Sequence, residues 1–192
     1  IWHSLKDKKS VGIINTYDDI GIVEIAKPIG VISSICPTTN PIVTPMSNAM
    51  FALKGRNAVI VAPHPRAKNC SSYTVKLINE SIKKLGAPDN LIQVIEEPTL
   101  ELTNELMKSS DAVVATGGSA MVNAAYSSGK PSFGVGPGNV QVIIDRNVNF
   151  NDVSKKVILG RSFDNGIICS GEQSIIVHEN DFDEVIDAFK SN

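Results

Sequence analysis

Short apolar runs that end in proline- or glycine-bearing turns, with helical patterns between them, constrain this chain more than any other feature. The runs are Gly30–Cys36, Asn57–Ala62, Leu91–Ile95, Asp111–Thr116 and Ser132–Gly136. Runs of this length without strict alternation fit strands buried on both faces. Strands that alternate with helices imply parallel pairing and right-handed crossovers. The expected fold class is therefore α/β: a Rossmann-like, mostly parallel sheet flanked by helices, followed by the beginning of a second α/β domain. The one composition shift lies near Asp145–Asp152, so domains are expected at residues 1–147 and 148–192.

The helical segments read as follows. Ile42–Leu53 stops near Gly55. Ala67–Leu85 carries Val75, Ile78, Ile82 and Leu85 at spacings of three and four, with Gly86 and Pro88 as stop signals. Pro98 and Thr99 open a helix with Leu102 and Leu106 on its buried side, and Gly117-Gly118-Ser119 open another over Ala120–Tyr126. Asp152 to Gly160 is helical. A last helix shows Phe182, Val185, Ile186 and Phe189 on one face, with Asp181 or Asn180 as its cap. Gly21–Ala26, Val140–Asp145 and Ser174–Val177 read as further extended segments. The first twenty residues read as a polar lead-in. Ile1 in place of Met suggests a chain whose start lies elsewhere.

Composition narrows the function. A formal charge of -2 gives no basic surface for nucleic acid. No apolar run approaches the ~20 residues that span a bilayer, so no membrane association is expected. Cys36, Cys70 and Cys169 are too few and too scattered for a disulfide scaffold or zinc site, and their odd number fits a reducing, cytoplasmic setting. His3, His64 and His178 are equally dispersed, so no metal is expected.

Sheets of this kind bind ligands at the carboxyl ends of their strands, and polar or glycine-rich turns follow three of the runs. Thr116-Gly117-Gly118-Ser119 could receive a pyrophosphate or ribose on open helix amides; the plain alternative is a turn where glycine avoids a clash. His64, Arg66 and Lys68 could hold a ribose or phosphate, or form a solvated, charged helix start. Thr38, Thr39 and Asn40 could donate to a developing oxyanion, or serve as turn and capping residues. Gly134-Val135-Gly136-Pro137-Gly138-Asn139 is not a dinucleotide fingerprint: its third glycine comes early, Pro137 removes a donor, and a strand follows. It reads as a special turn lining a site. Cys36 and Cys70 read as core residues. Cys169 lies among Asn165, Gly166, Ser170 and Gly171, where backbone amides can approach a thiolate; the plain alternative is a half-buried thiol at a strand start.

Taken in order, Pro37-Thr38-Thr39-Asn40-Pro41, Pro63-His64-Pro65-Arg66-Ala67-Lys68, Ala115-Thr116-Gly117-Gly118, Ala124–Pro131, Gly134–Asn139, and Phe163-Asp164-Asn165-Gly166 with Cys169 and Glu172-Gln173 resemble the CoA-acylating branch of the aldehyde dehydrogenase superfamily. The likeness is drawn most closely to the aldehyde dehydrogenase half of bifunctional aldehyde-alcohol dehydrogenases, and runs from about Val11 onward. The resemblance implies an NAD-binding domain followed by the start of a catalytic domain. It makes Cys169 the nucleophile. By the same resemblance Thr39 and Asn40 would lie beside the nicotinamide and the oxyanion, and Thr38, Thr39, His64, Pro65, Arg66, Thr116, Gly117, Gly118 and Gly136 would face the cofactor. Hydrolytic relatives carry a water-activating glutamate at the turn here occupied by Gly134, and Gly134–Asn139 holds no carboxylate. The implied reaction is therefore NAD-dependent, reversible oxidation of a short-chain aldehyde, acetaldehyde by default, to its acyl-CoA through a cysteine thioester. Coenzyme A is the co-substrate. A homo-oligomer, and an alcohol dehydrogenase domain in the full-length protein, are also implied. Ser170-Gly171 stands where an alanine-serine pair is expected. A hydrolytic dehydrogenase and a non-catalytic nucleotide-binding or assembly fragment are the alternatives. NADP also remains open, because no acidic partner for a ribose hydroxyl is evident.

Overall fold

The computed structural model describes all of residues 1–192. It divides into two compact units, Ile1–Gly136 and Pro137–Asn192.

The first unit begins with a short helix, α1 (Trp2–Leu5), and an antiparallel ribbon of β1 (Gly12–Tyr17) and β2 (Ile22–Ala26). The alternating elements follow: β3 (Val31–Ile35), α2 (Val43–Lys54), β4 (Ala58–Ala62), α3 (Lys68–Lys83), β5 (Ile92–Val94), α4 (Leu100–Ser109), β6 (Ala112–Thr116), α5 (Ser119–Tyr126) and β7 (Ser132–Val135). The five strands from β3 to β7 form one parallel sheet in the order β5-β4-β3-β6-β7. The expected α/β sheet is therefore present.

The sequence explains why β3 is central. Val31–Ile35 is buried almost throughout, and helices cover both faces of the sheet. Ala49 and Ala52 of α2 and Val75 of α3 pack with Ile32, Val59, Val61 and Ile92. Leu106 and Met107 of α4 and Ala125 of α5 pack with Ile35, Val113 and Ala115. Burying each of the Ile, Val, Leu and Met side chains among these stabilises the fold by ~1.5–3 kcal/mol. Two serines sit in this apolar setting without penalty because their hydroxyls are satisfied. Ser33 Oγ donates to the Ala112 carbonyl (3.3 Å) and accepts from Ser110 Oγ (3.1 Å), while Ser34 Oγ accepts from Asn48 Nδ2 (2.8 Å). The entry to β3 is clipped in place. Asn57 Oδ1 accepts from the Ile29 and Gly30 amides (2.6 and 2.9 Å), and Asp111 Oδ2 accepts from the Val31 amide (2.8 Å). Gly30 has φ +132, and a Cβ there would lie 2.1 Å from Asp111 Oδ2, so only glycine fits.

The second unit contains β8 (Val140–Ile143), α6 (Phe150–Ser162), a 3-10 turn (Phe163–Gly166), β9 (Glu172–Ile176) and α7 (Phe182–Lys190). β8 and β9 pair in parallel, and α6 packs on α7. Its buried set is small: Ile144, Ser154, Gly171 and Val185. No helix in the chain is long and apolar enough to cross a membrane.

β8 pairs with β9, so the compact units part between Gly136 and Pro137. Other expectations are corrected. The supposed polar lead-in holds α1 and β1; Ile13 and Tyr17 pair across the turn with Ile25 and Ile22 of β2. Leu85 lies past the end of α3 and is 87% exposed. Asp181 stands at the start of α7 but its side chain makes no cap; His178 Nδ1 instead accepts from the Asn180 amide, capping the preceding 3-10 turn. Thr99 does cap α4, accepting from the Leu102 amide at 3.1 Å.

Candidate functional site

In the first unit the chain leaves β3 for β4 and β5 on one side, then returns to β6 and β7 on the other. Loops that leave β3 and β6 in opposite senses open a crevice at their carboxyl ends. Thr38, Thr39 and Asn40 follow β3 there, Thr38 exposed and the other two half-buried. They are not spent on capping: α2 has Ile42 at its N-cap and no side-chain cap bond. Thr116, Gly117 and Gly118 follow β6. The Gly117 amide donates to the Val135 carbonyl (3.1 Å), which brings this turn against the end of β7 and Gly136. Gly118 is the N-cap of α5, again without a side-chain cap, and the Met121 and Val122 amides return to its carbonyl. The Ser119 and Ala120 amides lie ahead of that first turn of helix bonds, where donors are unspent.

The glycines here are not steric necessities. A Cβ at Gly118 or Gly136 would meet nothing within 4 Å, and one at Gly117 only the Met121 side chain at 3.8 and 3.9 Å. The surface is open enough for a ligand to approach the backbone closely, which weakens the reading of this turn as mere clash avoidance.

His64, Pro65 and Arg66 follow β4 and are all exposed. His64 Nδ1 accepts from the Arg66 amide (3.1 Å), so the histidine caps the 3-10 turn Pro65–Ala67 that leads into α3. Lys68, next in line, is paired with Glu97 from the loop after β5. Sequence reasoning found no acid at this end of the sheet. Glu97 was missed because its partner lies 29 residues earlier.

Cys169 belongs to the second unit and is exposed. It sits in a turn closed by the Gly171 amide donating to the Ile168 carbonyl (3.2 Å). Ahead of it Asp164, Asn165 and Gly166 all have positive φ (52, 53 and 69°), a conformation that suits these three residue types best. Arg161 Nη1 donates to the Gly166 carbonyl (3.0 Å), and Cβ atoms built on Gly166 and Gly171 would each lie 3.3 Å from that same nitrogen. The guanidinium thus lies between the two ends of the cysteine loop. On another side, a Cβ at Gly138 would come within 2.4 Å of the Cys169 carbonyl oxygen. Gln173 Nε2 donates to the Gly138 carbonyl (2.8 Å) and holds the two turns together. The sequence marks Gln173 only together with Glu172 after the cysteine, and does not single out Arg161.

The other thiols differ. Cys36 is buried, and burial pushes its pKa from the ordinary 9.0 up to about 11, opposed by a hydrogen bond with Ser34. Cys70 is half-buried, less enclosed than expected of a core residue. Gly134 is also placed differently from the turn position expected: it lies within β7, facing α5. A Cβ there would meet Val122 Cγ1 at 2.6 Å and Tyr126 Cε2 at 2.9 Å, and the Tyr126 hydroxyl accepts from the Gly134 amide at 3.1 Å.

One unit with a doubly wound sheet and open glycine turns at its switch point, and a second that displays one exposed cysteine, have counterparts among known proteins. Residues 3–192 match the aldehyde dehydrogenase family, and the chain belongs to it. It is 56% identical over its whole length to a succinate-semialdehyde dehydrogenase (acetylating) from Clostridium kluyveri, covering 42% of that protein. It is 42% identical to the bifunctional aldehyde-alcohol dehydrogenase of Escherichia coli, over 100% of this chain and 22% of the relative. A crystal structure of Rhodopseudomonas palustris propionaldehyde dehydrogenase, with bound CoA and an acylated cysteine, superposes with a TM-score of 0.79 at 40% identity, over 86% of this chain and 38% of that one. The chain therefore spans less than half the length of these relatives.

Proposed function

We propose that the chain carries the cofactor-binding turns and the nucleophilic cysteine of a CoA-acylating aldehyde dehydrogenase, with residues 1–147 as the nicotinamide-binding region and 148–192 as the start of the catalytic one. The observation that carries this reading is the Cys169 loop: an exposed thiol in a turn braced by Arg161 and by Gly138, in a chain similar to one whose structure holds an acylated cysteine and CoA.

The chemistry follows from the residue types. The Cys169 sulfur attacks an aldehyde carbon, and its proton leaves as the thiohemiacetal forms. Backbone amides of the cysteine turn, with Asn40 and Thr39, donate to the oxyanion. A bound nicotinamide supplies the hydride acceptor; Thr38, Thr39, His64, Pro65, Arg66, Thr116, Gly117, Gly118 and Gly136 would hold that cofactor. The open glycine turns and unspent α5 amides fit such a group. The product on Cys169 is a thioester. No carboxylate lies between Gly134 and Asn139 to activate water against it. The thioester is left for the thiol of coenzyme A, whose attack releases acyl-CoA and regenerates the Cys169 thiol. The same steps run backwards from acyl-CoA. A short-chain aldehyde is the substrate class, acetaldehyde by default. The whole protein is a homo-oligomeric cytoplasmic enzyme in this reading.

The test is acyl transfer in the reverse direction. Incubation with acetyl-CoA should place one acetyl group on Cys169, seen by peptide mass spectrometry and absent in Cys169→Ala. Aldehyde- and CoA-dependent NADH formation should likewise vanish in that variant. Dinucleotide binding with no acylation would support the non-catalytic alternative, and free acid formed without CoA would support the hydrolytic one.

A further inference from the structure

In parallel sheets of this order the adenosine ribose of a dinucleotide meets the turn after the strand beside the central one, and an acid there accepts from its 2'-hydroxyl. Here that turn is His64-Pro65-Arg66-Ala67-Lys68, which holds cations and no carboxylate. A carboxylate reaches the same place from the next strand. β4 and β5 are paired up to Val61 and Val94, and the Ile95 amide donates to the Val61 carbonyl at 2.9 Å. Glu97 therefore stands three residues beyond its strand's last pair, level with His64, three residues beyond its own. The buried Pro98 fixes the backbone directly after it. Glu97 Oε2 is paired with Lys68 Nζ, yet the glutamate side chain is 83% exposed and the lysine only 31%.

Resting on the cofactor reading above, we infer that Glu97 selects NAD over NADP. Its carboxylate accepts from the ribose 2'-hydroxyl of NAD and repels a 2'-phosphate. Through the ion pair it also neutralises Lys68, which would otherwise join Arg66 as a counter-ion for that phosphate. Left to itself, the turn after β4 would favour the phosphorylated cofactor; the residue from β5 reverses that preference.

Calorimetric titration of the 192-residue protein with NAD and, separately, with NADP tests this, in the parent, Glu97→Gln and Glu97→Gln/Lys68→Met. The parent should bind NAD more tightly. Glu97→Gln should shrink the NAD-to-NADP affinity ratio about tenfold, mainly through tighter NADP, as loss of one charge-assisted hydrogen bond and one repulsion implies. Adding Lys68→Met should remove the NADP gain. A ratio unchanged in Glu97→Gln, with both cofactors still bound, overturns the inference and leaves the cofactor reading standing. A parent that prefers NADP also overturns it. A parent that binds neither while its far-ultraviolet circular dichroism shows a folded chain removes the cofactor reading, and the inference with it.

Discussion

The three thiols of this chain occupy three environments, and one carries a pH consequence. Cys36 keeps its proton to about pH 11 when folded but releases it near 9.0 when unfolded. The contribution of that difference is fully present below pH 9. It falls as the unfolded thiol ionises and is gone above 11. Urea unfolding between pH 8 and 11 should show a loss of at most about 2 kcal/mol attributable to this group, absent from Cys36→Ala. Much at this scale was legible in the sequence. Cys36 closes an apolar run and Cys169 lies among glycines and small polar residues, so one read as core and the other as a candidate site. What was not legible depends on distant partners. Glu97 meets Lys68 only through the fold, and nothing local marks it.

β7 shows how an element limits the chemistry beside it. Gly134 faces α5 so closely that any side chain must displace Val122 and Tyr126. Gly136, just past the end of that strand, meets nothing within 4 Å. Gly134→Ala should therefore lower the urea midpoint by an amount worth about 1–3 kcal/mol, while Gly136→Ala should leave it within about 0.5 kcal/mol. An equal effect of the two would contradict the packing described. Strands β3, β4 and β6 could be read from the sequence because burial on two faces leaves an unbroken apolar run. The β1–β2 ribbon could be read only in part. Asn15, Thr16, Asp18 and Asp19 look like loop until their neighbours are seen to pair across the turn.

Across the molecule, burial is unevenly shared. Two clusters line the sheet of the first unit, whereas the second unit encloses only Ile144, Ser154, Gly171 and Val185. Regions with few buried contacts open at low free energy. Hydrogen exchange followed by mass spectrometry should show the slowest amides in β3, β4 and β6, and faster exchange throughout residues 137–192. Uniform protection across both units would refute that contrast. The composition shift near Asp145–Asp152 marks a loop, whereas the compact units are set by which strands pair and part at Gly136.

The ribbon at the start of the chain has a practical use. Its pairing runs only from Gly12 with Ala26 to Tyr17 with Ile22, and Ile13, Ile20, Val23 and Ile25 are all exposed. No strand of the main sheet depends on it for register. An epitope tag or a fluorescent reporter spliced between Asp18 and Asp19 would ride on a turn that lies outside the five-stranded parallel sheet.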